Sequence, residues 1–146
     1  MPLDQDPLEI AKRAFSEIQR RFPRFEMSVD EGIPVELSIT LPIQPGLKYE
    51  VNLNLQNRDE LHFSVSHFWL EWFPCTKAGR VDAYVAAVSG FLSGEYRIVE
   101  HYRGSKCVKA ELQSPDGAEW KTIGASSRVS LSLPWAEKRL VVVRNT

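Results

Sequence analysis

The chain has 146 residues, 43% of them hydrophobic and 25% charged, and its 18 Lys and Arg residues against 19 Asp and Glu residues give a formal net charge of −1. This composition is that of an ordinary globular domain and excludes a disordered chain. The balanced charge argues against a general nucleic-acid binder. No apolar run reaches the roughly 18 residues of a membrane-spanning helix, no secretory-signal pattern is present, and two cysteines are too few for a disulfide framework. We therefore expect a cytoplasmic protein with no membrane partner.

The first predicted element is an amphipathic helix that begins near Pro7. Asp6 is placed to cap it, Pro7 suits the first helical position, and Glu9 supplies a carboxylate in the first turn. Apolar residues then recur in steps of three and four, which puts them on one helical face. That face consists of Leu8, Ala11, Phe15, Ile18 and Phe22. The helix is expected to end at Pro23.

Three runs of alternating apolar and polar residues follow, over residues 35–41, 49–56 and 61–66. A shorter alternation at Phe25, Met27 and Val29 precedes them. Such alternation places apolar side chains on one face of a strand and polar side chains on the other. Three such runs separated by turn residues predict an antiparallel meander. One of its faces would be buried, and the other would be open to solvent or to a partner.

The alternation changes parity beside Ser66 and His67. Phe68, Leu70 and Trp72 continue the apolar series, but at even-numbered instead of odd-numbered positions. A single straight strand over residues 61–73 would be about 40 Å long, which is long for a small domain. We therefore expect a β-bulge or a sheet corner at this point.

The second half begins with a helix predicted over residues 79–92, with Gly94 as its C-terminal cap. Strands are predicted around residues 96–102, 108–112 and 120–122, and then around Val129, Leu131 and Leu133. The last apolar run, residues 140–143, shows no alternation, which predicts a central or doubly covered strand.

The elements together predict an α+β fold in a single domain, 1–146, with a broad antiparallel sheet of about eight strands and two helices packed on one face. The similar spacing of elements in residues 1–73 and 74–146 suggests a pseudo-repeat of one helix plus four strands. The first half carries seven basic and twelve acidic residues and the second carries eleven and seven. Attraction between the halves, or head-to-tail association of two chains, would fit this asymmetry.

The candidate binding site is the segment 62–75 together with the following helix. Aromatic residues are frequent in binding sites because they combine apolar area with a polar tip, and this segment holds two of the four tryptophans. The candidate binding residues are His67, Trp69, Glu71, Trp72, Cys75 and Tyr84. The alternative interpretation is a core strand that is covered on both faces.

No catalytic residue, metal site or cofactor is predicted. His67, Glu71 and Cys75 resemble a thiol–imidazole–carboxylate set, but four residues of extended chain separate neighbouring members by about 13 Å. Glu100 and His101 point to opposite faces of a strand and are interpreted as surface or edge polarity. No histidine or cysteine has a recognisable metal-ligand spacing.

Our leading hypothesis is a non-enzymatic protein-interaction module of the bacterial-style cytoplasmic class. It would be an accessory protein of chaperone-like or immunity type, and it would bind a protein partner or its own copy as a homodimer. The alternative is a small-molecule-binding domain, or an unrecognised enzyme, with an aromatic pocket near His67 and Trp69. Basic residues late in the chain offer contacts to phosphates or to an acidic protein, although protection of edge strands is the commoner role. They are Lys106, Lys109, Lys138, Arg139 and Arg144.

Overall fold

A computed structural model describes residues 6–128 and 133–146. In this part of the chain the elements are α1 (Pro7–Arg21), β1 (Ser28–Val29), β2 (Leu37–Leu41), β3 (Val51–Gln56), β4 (Glu60–Val65), β5 (Phe68–Trp72), α2 (Arg80–Leu92), β6 (Arg97–Arg103), β7 (Lys106–Asp116), β8 (Glu119–Ser127) and β9 (Lys138–Val143). Neither described helix has the length and apolar character needed to cross a membrane. The predicted strand around Val129 and Leu131 lies outside the described residues.

The predicted α+β class, with two helices and antiparallel strands, is confirmed. The strands are divided between two sheets, however, where the alternation suggested one broad sheet. The first sheet has the order β1-β2-β3-β4-β5 and the second has the order β8-β7-β6-β9. Each half is a helix followed by antiparallel strands, but the connections differ. The first sheet is a simple meander, whereas β9 returns to pair with β6.

The first helix forms where its capping signals predicted. The carboxylate of Asp6 accepts a hydrogen bond from the amide of Leu8 at 3.1 Å, and Pro7 occupies the first turn. The buried face includes Phe15 and Ile18, which are 2% and 0% exposed. This face packs against α2 and β3.

The parity change at Ser66 and His67 is a hairpin turn, and the expected β-bulge or sheet corner is wrong. β4 and β5 pair antiparallel with Val65 directly opposite Phe68, so Ser66 and His67 are the two central residues of the turn. Directly paired residues share a face, so the reversal moves the buried series from odd to even positions. Ser66 has a φ of +54°, in the left-handed region that such tight turns require at a central position.

One hydrophobic core joins the two sheets and both helices. Phe63 from the first sheet packs against Phe68 and against Phe91 of α2, with ring centroids 5.8 Å and 6.0 Å apart. Residues of the second sheet, including Ile98 and Leu112, belong to the same buried cluster. The two helices therefore cover one face of the first sheet, and the second sheet closes the core beside them.

The second sheet reaches the first at β5. Leu70 lies directly on the backbone of Gly124 in β8, and a Cβ at that position would be 2.3 Å from Leu70 Cδ2. The amide of Trp69 donates to the Ser126 hydroxyl at 3.3 Å. At the end of the chain, the Asn145 side-chain amide donates to the carbonyls of Gly46 and Leu92, both at 2.8 Å. Asn145 thus connects a loop of the first sheet to the end of α2.

Among the described strands, the final one lies at a sheet edge, so the prediction of a central or doubly covered strand is wrong. β9 pairs with β6 on one side, and no strand among the described residues pairs with its other side. Val143 is buried in the core, whereas Leu140 and Val142 are 63% and 50% exposed on the opposite face. Residues 140–143 include no polar residue, although one face of this part of β9 is exposed.

The packing of α2 on the start of β6 makes Gly90 a position where alanine should destabilise the fold. In an exposed helix, Gly→Ala is favourable by about 1 kcal/mol. Here an added Cβ would be 2.3 Å from the ring of Tyr96, whose amide is bound to the Gly90 carbonyl at 2.8 Å. We expect Gly90→Ala to lower the free energy of unfolding by about 1–3 kcal/mol, as measured by urea denaturation. In a Tyr96→Ala background this cost should disappear, and a stabilising Gly90→Ala in the wild-type background would contradict the packing.

Candidate functional site

The carboxylate of Glu100 lies at the centre of the candidate site and is 2% exposed. β6 directs it towards the turn between β4 and β5. Its Oε2 accepts hydrogen bonds from the Ser66 hydroxyl at 2.7 Å and the His67 amide at 3.0 Å, and its Oε1 accepts from the Tyr102 hydroxyl at 3.1 Å. The Nδ1 atom of His67 is 3.3 Å from Oε2. Among the described residues, no Lys or Arg forms an ion pair with this carboxylate.

Glu100 is held in its charged form despite its burial. Burial alone would raise the pKa of this carboxyl group, but the hydrogen bonds from Ser66, the His67 amide and Tyr102 outweigh it and lower the pKa below its usual 4.5. The group is therefore an ionised carboxylate at neutral pH. The interpretation of Glu100 as surface or edge polarity is wrong, although His101 does lie on the opposite face of β6, beside Glu111.

Cys107 joins this cluster because of a β-bulge. His101 pairs with Lys109, but the next residue, Tyr102, pairs with Cys107, so Val108 is the extra residue. In a regular ladder Cys107 would be opposite Arg103 and would face the other side of the sheet. The bulge turns the thiol onto the face of Glu100 and Tyr102, in the way that bulges re-aim side chains near functional sites.

The potential ligand atoms of His67, Glu100 and Cys107 all lie within 4.8 Å of one another. A thiol–imidazole–carboxylate set is thus present, but His67 is joined by Glu100 and Cys107 instead of Glu71 and Cys75. Burial and the charge of Glu100 raise the pKa of the Cys107 thiol. A nucleophilic cysteine needs a lowered pKa, and the raised pKa of Cys107 is the opposite of that requirement.

Three of the predicted site residues lie near this cluster or on the same side of the first sheet. His67 is part of the cluster, with its side chain 47% exposed. Trp69 is half-buried, with the guanidinium of Arg128 5.1 Å from its ring centroid. Glu71 is half-buried and pairs in register with His62.

The other three predicted residues lie on the helix side of the first sheet or in the core. Trp72 meets Tyr84 edge to face at 5.3 Å, and the hydroxyl of Tyr84 donates to the His62 carbonyl at 2.8 Å. Cys75 is 1% exposed, and burial raises the pKa of its thiol. The structure therefore brings His67 together with Glu100 and Cys107, and separates Trp72, Tyr84 and Cys75 from them.

The polar face of the first sheet is a connected network of side chains. Asp30 accepts hydrogen bonds from Ser38 and Thr40, both at 2.8 Å, and a longer one from Asn52. Asn54 in turn donates to Asn52 at 2.7 Å. These groups satisfy one another, so the face that the alternation left open to solvent or a partner offers few unpaired polar groups.

The outer face of the second sheet combines exposed apolar residues with cations. Beside Leu140 and Val108 there is a cavity of about 340 Å³. Four cationic residues line it, namely Arg103, Lys109, Lys138 and Arg139. The Nε atom of Arg103 is buried and has no hydrogen-bond partner among the described residues. This is the face on which β9 presents Leu140 and Val142.

The chain matches no protein-family model, and searches of curated proteins and of solved structures likewise find no match.

On the outer face of the second sheet, the ion pair of Glu111 with Lys109 gives a pH-dependent contribution to stability. Its hydrogen bond from Lys109, 2.9 Å away, lowers the pKa of Glu111 against the opposing effect of burial, and His101 faces the same carboxylate. Because the folded-state pKa is below that of the unfolded chain, ionised Glu111 stabilises the fold above its usual pKa of 4.5. That contribution is lost as the pH falls through the folded-state value.

We expect Glu111→Gln to lower the free energy of unfolding by about 1 kcal/mol at neutral pH. The difference from the wild type should shrink towards zero as the pH falls below 4.5. Urea denaturation of both proteins over a pH series measures this difference, and a difference that grows on acidification would contradict the assigned ion pair.

Proposed function

We propose that this chain is a non-enzymatic protein-interaction module that binds an extended, acidic segment of another protein along β9. The observation that carries the proposal is the edge of β9, which no described strand covers, with Leu140 and Val142 exposed beside a cationic cavity. We place the protein among cytoplasmic accessory proteins of chaperone-like or immunity type. Its two free thiols, Cys75 and Cys107, are in keeping with a reducing compartment.

The backbone of β9 supports recognition by strand addition. An edge strand presents unpaired N–H and C=O groups that pair readily with another extended chain. Apolar side chains at alternate positions of the bound segment would lie over Leu140 and Val142, which are directly opposite His101 and Val99 of β6. Main-chain hydrogen bonds would contribute affinity, and the side-chain contacts would contribute specificity.

The charge of this edge favours an acidic occupant. Lys138 begins the strand, Arg139 follows it, and Arg103 and Lys109 line the adjoining cavity. An acidic side chain in the cavity would give the buried Nε of Arg103 the acceptor that it lacks among the described residues. Carboxylate groups of a partner are therefore the chemistry that fits this site.

The same charge disfavours a second copy of this chain as the occupant. Antiparallel pairing of two β9 strands would place Lys138 and Arg139 of one chain opposite Val143 and Val142 of the other. Because β9 contains no acidic residue, a second copy would leave these cations without an opposite charge. The exposed leucine and valine, together with an unpaired strand edge, suit a peptide better than a nucleic acid.

Selection from a displayed library of short random peptides tests the proposal directly. We expect selection on the full chain to enrich peptides that alternate apolar and acidic residues. Their dissociation constants are measured by fluorescence anisotropy, and amide chemical shifts locate the binding. Chemical-shift changes should be concentrated in β9 and in the residues lining the cavity. Affinity should fall as salt is added, since exposed charges are screened.

Two exposed apolar residues at opposite edges of the second sheet provide a matched pair of variants. Leu140→Ser should weaken peptide binding by at least about tenfold, because burying a leucine contributes roughly 1.5–3 kcal/mol. Ile123→Ser, on β8 and 42% exposed, should leave it unchanged. Enrichment without acidic residues, or equal losses in the two variants, would refute the proposal. So would a dimer in sedimentation equilibrium that Leu140→Ser dissociates, since the occupant would then be a second copy.

A further inference from the structure

The cluster of His67, Glu100 and Cys107 has the donor set of a transition-metal site, and we propose that it binds a zinc ion. The three residues come from three separate elements. His67 lies in the turn between β4 and β5, Glu100 lies in β6 and Cys107 lies in β7. Their ligand atoms lie within 4.8 Å of one another. The cluster lies on the Glu100 face of β6, whereas Leu140 and Val142 pair with His101 and Val99 on the opposite face.

The chemistry of the three donors selects the class of metal. Imidazole nitrogen and thiolate sulfur suit zinc, whereas magnesium and calcium prefer oxygen ligands alone. Zinc is often bound by three protein ligands that include both nitrogen and sulfur, with a fourth position left for water. The donor set therefore favours zinc over the hard divalent cations.

The geometry requires a small closure that the structure permits. Tetrahedral ligands at typical zinc distances of about 2.0–2.3 Å are roughly 3.5 Å apart. The Nδ1 atom of His67 and Oε2 of Glu100 are already 3.3 Å apart, and donors that are up to 4.8 Å apart must approach by up to about 1.3 Å. Glu100 is held by Ser66, the His67 amide and Tyr102. The His67 ring is half-exposed at the hairpin turn, so it can turn towards the ion from the solvent side, and the same opening gives the ion a path of entry.

The charge of Glu100 favours a cation at this position, against the guanidinium groups of Arg128, which acts on Cys107, and Arg139, which lies 4.7 Å from the Tyr102 ring centroid. Glu100 is an ionised, buried carboxylate, and no Lys or Arg of the described chain forms an ion pair with it. Buried charges in proteins are usually paired with an opposite charge or coordinate a metal. A divalent ion would supply that charge, and the hydrogen bonds to Glu100 would then orient the ligand, as residues around zinc ligands commonly do.

Binding would change the protonation of one group. Cys107 carries a thiol proton in the metal-free protein, and coordination requires the thiolate. The S–H bond breaks, the proton passes to the buffer, and the sulfur electron pair forms the bond to zinc. Cys107 therefore releases one proton for each zinc ion bound. Affinity should therefore fall as the pH is lowered.

Zinc titration of the chelator-treated full chain tests the site. We expect one zinc ion per chain, measured by competition with a colorimetric chelator. Calorimetry in buffers of different ionisation enthalpy should show release of one proton. Cobalt substitution should give the near-ultraviolet sulfur-to-metal charge-transfer band and the intense visible bands of a tetrahedral site.

Four variants separate this site from adventitious binding. Cys107→Ser and His67→Ala should each weaken zinc binding by at least about tenfold, and Cys107→Ser should abolish the charge-transfer band. His101→Ala, on the opposite face of β6, and Cys75→Ala, in the core, should retain both. Circular dichroism verifies that each variant is folded.

Zinc protection of Cys107 from alkylation in the wild-type chain is a second readout that needs no variant. Absence of zinc binding at micromolar concentrations, or binding that survives both Cys107→Ser and His67→Ala, would overturn the proposal. Alkylation of Cys107 at an unchanged rate in the presence of zinc would also overturn it.

Discussion

The burial of one charged group, the carboxylate of Glu100, is the constraint on which the arrangement of the two sheets depends. A carboxylate removed from water is costly unless hydrogen bonds replace its hydration. Here two of the donors, the Ser66 hydroxyl and the His67 amide, belong to the other sheet. The hairpin turn must therefore sit against β6 for the charge to be satisfied. Once it does, β5 meets β8, and Leu70 can approach the backbone of Gly124.

Much of the fold could be predicted because its signals are local. The capping pair Asp6 and Pro7 marks the start of α1, and period-two alternation marks β3 and β4 without reference to any other part of the chain. The parity change at Ser66 also marks a break in the strand, although the predicted bulge or corner is a hairpin turn. Alternation alone does not distinguish a bulge from a reversal of direction, since both shift the apolar series by one residue.

The remaining features depend on pairing between distant segments, which one sequence does not reveal. The run at residues 140–143 lacks alternation and predicts a strand buried on both sides, but β9 pairs only with β6 among the described strands and so lies at a sheet edge. Cys107 faces Glu100 because of an irregularity in the β6–β7 register. One signal was available: Glu100 has the same parity as Ile98, a core residue, so a charged side chain had to point inwards.

The left-handed backbone of Ser66 has a consequence for how sequence changes at the turn would be tolerated. Glycine adopts this conformation without strain, whereas another residue pays about 1–2 kcal/mol. The Ser66 hydroxyl recovers a similar amount, because a hydrogen bond to a charged acceptor contributes about 1.5–3 kcal/mol. A serine-to-glycine exchange would therefore be nearly neutral for folding while it removed one of the groups that orient Glu100. Natural selection on stability alone would therefore not distinguish serine from glycine at position 66, whereas selection on the orientation of Glu100 would retain the serine.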